Sequence, residues 1–157
     1  MIIKNFLTKE ECLALLDEAE NSNSWKPQNK DTGIFILPSI NHKVMIDINK
    51  RVSALFDKNL YTQIIRMIHK TDKDSFWEEH SDNAGRANTK YGVVIYLNDN
   101  FKGGELLYTE SNTIIKPEAG MLVYHPGDKM HKVLRVESGN RYTLTSFITG
   151  INLVDNS

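Results

Sequence analysis

From Leu60 onward the chain alternates short β-rich runs with turn residues, and no other feature of the sequence restricts its fold so strongly. The runs cover residues 61–69, 76–82, 90–97, 105–109, 112–115, 120–124, 131–136 and 141–148. Asp99-Asn100, Lys102-Gly103-Gly104, Pro117-Glu118, Pro126-Gly127 and Ser138-Gly139-Asn140 mark the breaks between them. Strands this short and this evenly spaced predict a closed or double-sheet antiparallel fold, either a jelly roll or a related barrel.

The first 60 residues read differently. Thr8 and Glu11 stand at capping-box spacing, and Cys12, Leu15, Leu16 and Ala19 follow at helical intervals, which predicts a helix over 9–20. Residues 25–41 read as extended, with a turn around Asp31-Thr32-Gly33 and an apolar run from Ile34 that stops at Pro38. A second helix is predicted over 43–58, with Ile48, Val52, Leu55 and Phe56 on its inner stripe. The whole is expected to be one mainly β domain, 1–157, in which residues 1–60 give mostly helical support to a β core over 61–150. The two helices should cover one outer face of the sheet. At 157 residues there is material for one well-buried core and too little for two ordinary domains.

Charge excludes some partners. Nineteen basic and 20 acidic side chains leave a net charge of -1, so no overall field would draw the chain to nucleic acid or to a membrane. The N-terminus lacks the pattern of a secretory signal, and no apolar run is long enough to span a bilayer. A single cysteine, Cys12, excludes an internal disulfide framework and favours a cytoplasmic location. Its place inside the first helix suggests a buried structural thiol, not a nucleophile.

Of the five histidines, only His80 stands two residues from a carboxylate, in His80-Ser81-Asp82. On a strand, residues i and i+2 leave the same face, so both side chains would aim at one point. They are two ligands of a 2-His-1-carboxylate facial triad, an arrangement that leaves three positions open on non-haem Fe(II). The third ligand must come from elsewhere, and His131 and His125 compete for it. His131 opens a β-rich run that turns at Glu137-Ser138-Gly139-Asn140 and returns from Arg141, which reads as a hairpin with His131 at its open end. Arg141 at the far end could clamp the distal carboxylate of a chelating keto acid with its guanidinium fork. His125 precedes a Pro-Gly turn and has no arginine ten residues on, so a loop position near the pocket mouth is expected for it. His42 and His69 are expected to be structural or at the surface. Trp77 and Phe76 should be core or pocket wall, and Gly103-Gly104 a tight connection.

Taken together these motifs resemble the prolyl 4-hydroxylase-like branch of the Fe(II)/2-oxoglutarate oxygenases. The resemblance spans about Thr62 to Ile148. It rests on His80-x-Asp82, on Tyr91-Gly92-Val93-Val94-Ile95-Tyr96-Leu97-Asn98, and on Gly103-Gly104-Glu105-Leu106. Pro117-Glu118-Ala119-Gly120-Met121-Leu122-Val123-Tyr124, His131-x-Val133 and Gly139-Asn140-Arg141-Tyr142 complete it. It implies a double-stranded β-helix (jelly roll) with N-terminal helices, and a dioxygenase that turns over 2-oxoglutarate and O2 to succinate and CO2 while hydroxylating a C–H bond. It assigns His80, Asp82 and His131 to iron as the catalytic metal ligands. Arg141 would take the 2-oxoglutarate C5 carboxylate, with Tyr96 and Thr143 adding hydroxyl contacts. Ascorbate is a candidate auxiliary reductant.

A carboxylate at position 82 disfavours halogenation, which needs a smaller residue there. Two other classes stay open on the residues alone: a metal-binding β-helix of another activity, and a non-catalytic interaction domain. The substrate could be a prolyl residue in a peptide or protein, a free amino acid or another small molecule, and the chain a monomer or homodimer. The polar segments 27–41 and 83–90 are expected to border the entrance, with the flexibility of binding loops.

Overall fold

The computed structural model describes residues 1–28, 32–38, 40 and 43–150. In chain order β1 (Ile2–Ile3), α1 (Lys9–Asn21), β2 (Lys26–Pro27), β3 (Ile34–Leu37) and α2 (Val44–Ser53) come first. Then follow β4 (Tyr61–Thr62), β5 (Ile68–Thr71), β6 (Trp77–His80), β7 (Thr89–Tyr96), β8 (Lys102–Gly103) and β9 (Leu106–Tyr108). The remaining strands are β10 (Thr113–Ile115), β11 (Leu122–Pro126), β12 (His131–Val133), β13 (Val136–Ser138) and β14 (Arg141–Thr149). An eight-stranded sheet runs β1-β11-β7-β14-β5-β3-β2 with β4 on β14, and a smaller one runs β10-β9-β12-β6. All the pairings are antiparallel. This is the expected mainly β jelly roll.

Period two along the central strands sorts side chains between two cores. Ile95, Leu122, Leu144 and Ile148 face the helices, where Leu15, Ala19, Ile48 and Val52 join them in one cluster. Tyr96 and Val123, one residue along, enter a second cluster with Met121 beside them and with Leu106, Tyr108 and Val133 of the other layer. β7 and β11 are therefore covered on both faces along Val93–Tyr96 and Leu122–Val123, where their sequences run apolar without alternation. Each fully buried aliphatic side chain of this kind contributes about 1.5–3 kcal/mol.

The capping box at α1 forms as expected: Glu11 N donates to Thr8 Oγ1 at 3.1 Å and Thr8 N to Glu11 Oε1 at 2.8 Å. The second Glu11 oxygen receives Arg51 of α2, whose guanidinium also donates to Phe6 O at 2.8 Å. Glu11 thus caps one helix and docks the other. Cys12 is buried, and desolvation pushes its thiol up to about 11, as suits an inert packing residue.

Several boundaries differ from expectation. α2 stops at Ser53, and Leu55 is 38% exposed, whereas Phe56 still packs against Tyr91 and Tyr124. The run 61–69 divides into β4 and the start of β5, pairing at different places along β14. Phe76 is exposed beneath the Arg135 guanidinium and is neither core nor pocket wall. His42 and Asp31 lie outside the described residues.

The largest correction concerns the hairpin read from His131 to Arg141. β12 pairs with β6 and β9, β13 with β8, and β14 with β4, β5 and β7. Neither β12 nor β13 pairs with β14. The stretch from β12 through β13 to β14 is a crossing between layers, so His131 and Arg141 reach the interior from opposite sheets. At the crossing Gly103 has φ +73°, and a Cβ there would lie 2.1 Å from Arg135 O, so only glycine fits the close approach. Among the described residues no helix is long and apolar enough to cross a membrane.

Candidate functional site

Between the layers lies a cavity of about 310 Å³ that His80, Asp82, His131, Arg141 and Thr143 all line. β6 ends at His80, so Asp82 belongs to the turn beyond the strand and not, as expected, to the strand itself. The two side chains converge nevertheless. His131 is the direct cross-strand neighbour of His80 on one side and of Tyr108 on the other, which places three rings in a row on the small sheet.

The donor atoms share one focus. His80 Nε2 and His131 Nε2 each stand 3.6 Å from Asp82 Oδ1, and the three ligand atoms lie within 4.8 Å of one another. Backbone carbonyls select the tautomers: the His80 Nδ1–H donates to Glu78 O at 2.7 Å and the His131 Nδ1–H to Lys129 O at 2.8 Å. A carbonyl can only accept, so in the neutral rings each Nε2 keeps its lone pair for a metal placed between the two rings and Oδ1. Ligands about 2.1 Å from one ion and at right angles would be roughly 3 Å apart. The spacing therefore fits a shared divalent cation after slight closure, and two imidazoles with one carboxylate suit Fe(II).

His125 is not a loop residue at the mouth. It lies on β11, buried, with Nε2 2.7 Å from Asp82 Oδ2 and Nδ1 3.0 Å from Tyr108 Oη. It faces Gly92 across the β11–β7 pair, and a Cβ on Gly92 would fall 1.8 Å from Asp82 Oδ2. Gly92 has ordinary strand geometry, so what glycine supplies there is room.

Arg141 is 3% exposed, among the most buried charges of the described residues. Its Nε donates to Gly104 O at 3.2 Å, its Nη2 lies 3.5 Å from Tyr96 Oη, and its guanidinium stands over the Tyr96 ring. Among the described residues no carboxylate pairs with it. Thr143 shares its strand face, as period two requires, whereas Tyr96 is wholly buried behind Arg141 and does not line the cavity. His69 was missed by sequence reasoning. It is buried on the cavity wall beside Trp77, with Nδ1 3.5 Å from Thr145 Oγ1. No carboxylate spacing marks it in the sequence. At the mouth stand Gln28, Ile36, Arg66 and Arg86, so the segments 27–41 and 83–90 each supply part of the border. The second folds into successive turns.

Burial sets the charge states. It would raise the Asp82 carboxyl, but the hydrogen bond from His125, the His80 ring when protonated and the other imidazole charges nearby outweigh it and hold the group well below the usual carboxylate range. Burial lowers His131 to about 4, with His125 adding to the effect, and lowers His69 to about 4, with Arg141 adding to it. His80, more exposed and bonded to Asp82, is raised. An unfolded histidine takes its proton near pH 6.5. Between pH 6.5 and 4 the unfolded metal-free chain therefore binds protons that folded His69 and His131 refuse, and stability must fall. His80 charges above that window and does not cancel the slope. A thermal-melt series on metal-free protein should show Tm dropping steadily across it; a flat profile would contradict the assigned burial effects.

A family model described as the 2OG-Fe(II) oxygenase superfamily matches residues 62–149. A PKHD-type hydroxylase of Prochlorococcus marinus (strain MIT 9215) is 26% identical over 147 residues, covering 80% of this chain. The chain spans 66% of that relative's length. Among solved structures, a viral collagen prolyl hydroxylase from Paramecium Bursaria Chlorella virus-1, in its 2OG complex, superposes with a TM-score of 0.74. Its identity is 18%, over 97% of this chain and 96% of that one. A Pseudomonas putida prolyl-4-hydroxylase gives a TM-score of 0.72 at 18% identity, over 97% and 92% of the two chains. Those two likenesses establish the jelly-roll fold. With the family match covering more than half its length, the chain belongs to the 2OG-Fe(II) oxygenase superfamily.

Proposed function

We propose that this chain is a 2-oxoglutarate-dependent dioxygenase in which His80, Asp82 and His131 hold Fe(II), and Arg141 binds the C5 carboxylate of 2-oxoglutarate. The observation that carries the reading is the convergence of two carbonyl-fixed imidazoles on one oxygen of Asp82. When bound, Fe(II) with 2-oxoglutarate and O2 supplies oxidising power enough to hydroxylate an unactivated C–H bond, with succinate and CO2 as co-products. The protein supplies geometry: the two Nδ1–H donations fix ring orientation, and Arg141 and Thr143 set the depth of the cosubstrate. The apolar walls from Val93, Val94, Leu106 and Val133 keep water from the reacting centre.

For the substrate we propose a prolyl residue in a peptide or protein, on the strength of the hydroxylase names borne by the relatives. Asp82 is the one carboxylate among the described residues lining the cavity, while Arg66 and Arg86 stand at its mouth, Arg86 over the Phe147 ring. Proline peptides with an acidic neighbour are therefore the preferred form. The experiment is Fe(II)-dependent conversion of 2-oxoglutarate to succinate, run with proline peptides flanked by Asp or by Lys and read by mass spectrometry for the gain of one oxygen. Absence of both 2-oxoglutarate binding and turnover in Fe(II)-loaded protein would overturn the activity; turnover without peptide oxidation would overturn only the substrate.

A further inference from the structure

Asp82 has two oxygens, and they live in different surroundings. Oδ1 faces His80 and His131 at 3.6 Å, while Oδ2 turns away to His125 at 2.7 Å. His125 in turn meets Tyr108 at 3.0 Å, and all three side chains are buried between the sheets. We infer that Tyr108 and His125 are positioning residues: they tie down Oδ2 so that Asp82 offers the metal one oxygen only. The inference rests on reading Asp82 as an iron ligand.

The direction of the hydrogen bonds follows from the end groups. An ionised carboxylate only accepts, so Nε2 of His125 must carry a proton and donate it to Oδ2. If Nδ1 held the sole ring proton, two lone pairs would face each other across 2.7 Å. With a single ring proton, on Nε2, Nδ1 is the acceptor and the Tyr108 hydroxyl donates to it. The chain Tyr108 Oη–H to His125 Nδ1, then His125 Nε2–H to Asp82 Oδ2, leaves every member paired.

Three separate elements hold this arrangement. Tyr108 comes from β9 beside His131, His125 from β11 of the opposite sheet, and Gly92, directly across from His125, leaves the space where the carboxylate enters. The layers of the jelly roll are thus linked through the side chain of the ligand itself. A carboxylate free to rotate could offer both oxygens and occupy a further coordination position; a tethered one keeps three positions open for cosubstrate and O2. Partners that orient a metal ligand in this way are typically worth about 10–100-fold in metal affinity.

The test is Co(II) binding to metal-stripped protein, followed by calorimetry and by the visible spectrum of the bound ion, with circular dichroism as the check on folding. His125→Phe should bind about 10–100-fold more weakly and show a changed Co(II) spectrum. His125→Gln can place an amide N–H where Nε2 was, and should return affinity to within about threefold of the parent. Tyr108→Phe, which deletes a single oxygen, should weaken binding several-fold with its melting curve little changed. Parent-like affinity in His125→Phe while Asp82→Ala fails to bind would overturn the tether and leave the iron site standing. A folded His125→Gln as weak as His125→Phe would also overturn it, since packing or direct ligation, and not donation, would then be the ring's role. If Asp82→Ala binds Co(II) as the parent does, the metal site is wrong and the tether falls with it.

Discussion

Gly92→Ala is expected to abolish useful metal binding while leaving the protein folded. The added Cβ would sit 1.8 Å from Asp82 Oδ2, 2.8 Å from its Cγ and 2.9 Å from His125 Nε2. No contact that short survives, so the carboxylate must swing more than an ångström. The backbone need not follow, because Gly92 has no positive φ and the obstructing atoms end short side chains. Overpacking of this kind costs about 1–3 kcal/mol, or roughly 2–12 °C in Tm for a chain of this size. The functional loss should be far larger: at least about 100-fold in Co(II) or Fe(II) affinity, since a ligand and its partner are both displaced. Gly85→Ala is the contrasting case. Gly85 has φ +75° with nothing within 4 Å of its Cβ position, so that variant should lose about 1–2 kcal/mol to backbone strain and keep its metal affinity. If Gly92→Ala binds metal like the parent, the placement of Asp82 is wrong.

That steric role shows what a sequence does and does not reveal about such a site. His80 and Asp82 stand out because two residues of useful chemistry lie two apart near a strand, and the signal survives even though the strand ends at His80. His131 and Arg141 were found by their spacing, although the supposed hairpin between them is a crossing from one sheet to the other. Strand period and turn residues are local properties, whereas pairing partners are not, and a run such as 131–136 gives no sign that its halves join different sheets. His125 was misplaced for the same reason. Its Pro-Gly neighbour suggested a loop, and only the register of β11 against β7 brings it to Gly92 and Asp82. The capping box of α1, by contrast, depends on residues three apart and was legible to the atom. α2 overran its end because Leu55 and Phe56 continue the apolar period after the backbone has left the helix. Burial of Phe56 is supplied by Tyr91 and Tyr124, which no local pattern announces.

Arg141 gives the sharpest means of separating a cosubstrate site from structural packing. A guanidinium 3% exposed, held by one carbonyl and a tyrosine hydroxyl at 3.5 Å, with no carboxylate partner among the described residues, is a costly thing to bury. If its purpose were structural, removing it would destabilise the fold. If it awaits a dianion, removing it should relieve the metal-free protein and injure only cosubstrate binding. Arg141→Met keeps most of the side-chain volume and discards the charge. Without ligand its Tm should equal or exceed the parent's, because replacing a poorly paired buried charge by an apolar side chain is often neutral or stabilising. Its affinity for 2-oxoglutarate should fall about 100-fold, corresponding to about 3 kcal/mol for a lost pair of charge-assisted hydrogen bonds. Co(II) affinity should stay within about twofold, since Arg141 bonds to none of His80, Asp82 and His131. The rise in Tm that saturating 2-oxoglutarate gives the parent should vanish in the variant, because a ligand stabilises only as far as it binds the folded state. Equal losses of metal and 2-oxoglutarate, or a variant that melts well below the parent, would mean that Arg141 holds the fold and that the keto acid is anchored elsewhere in the cavity.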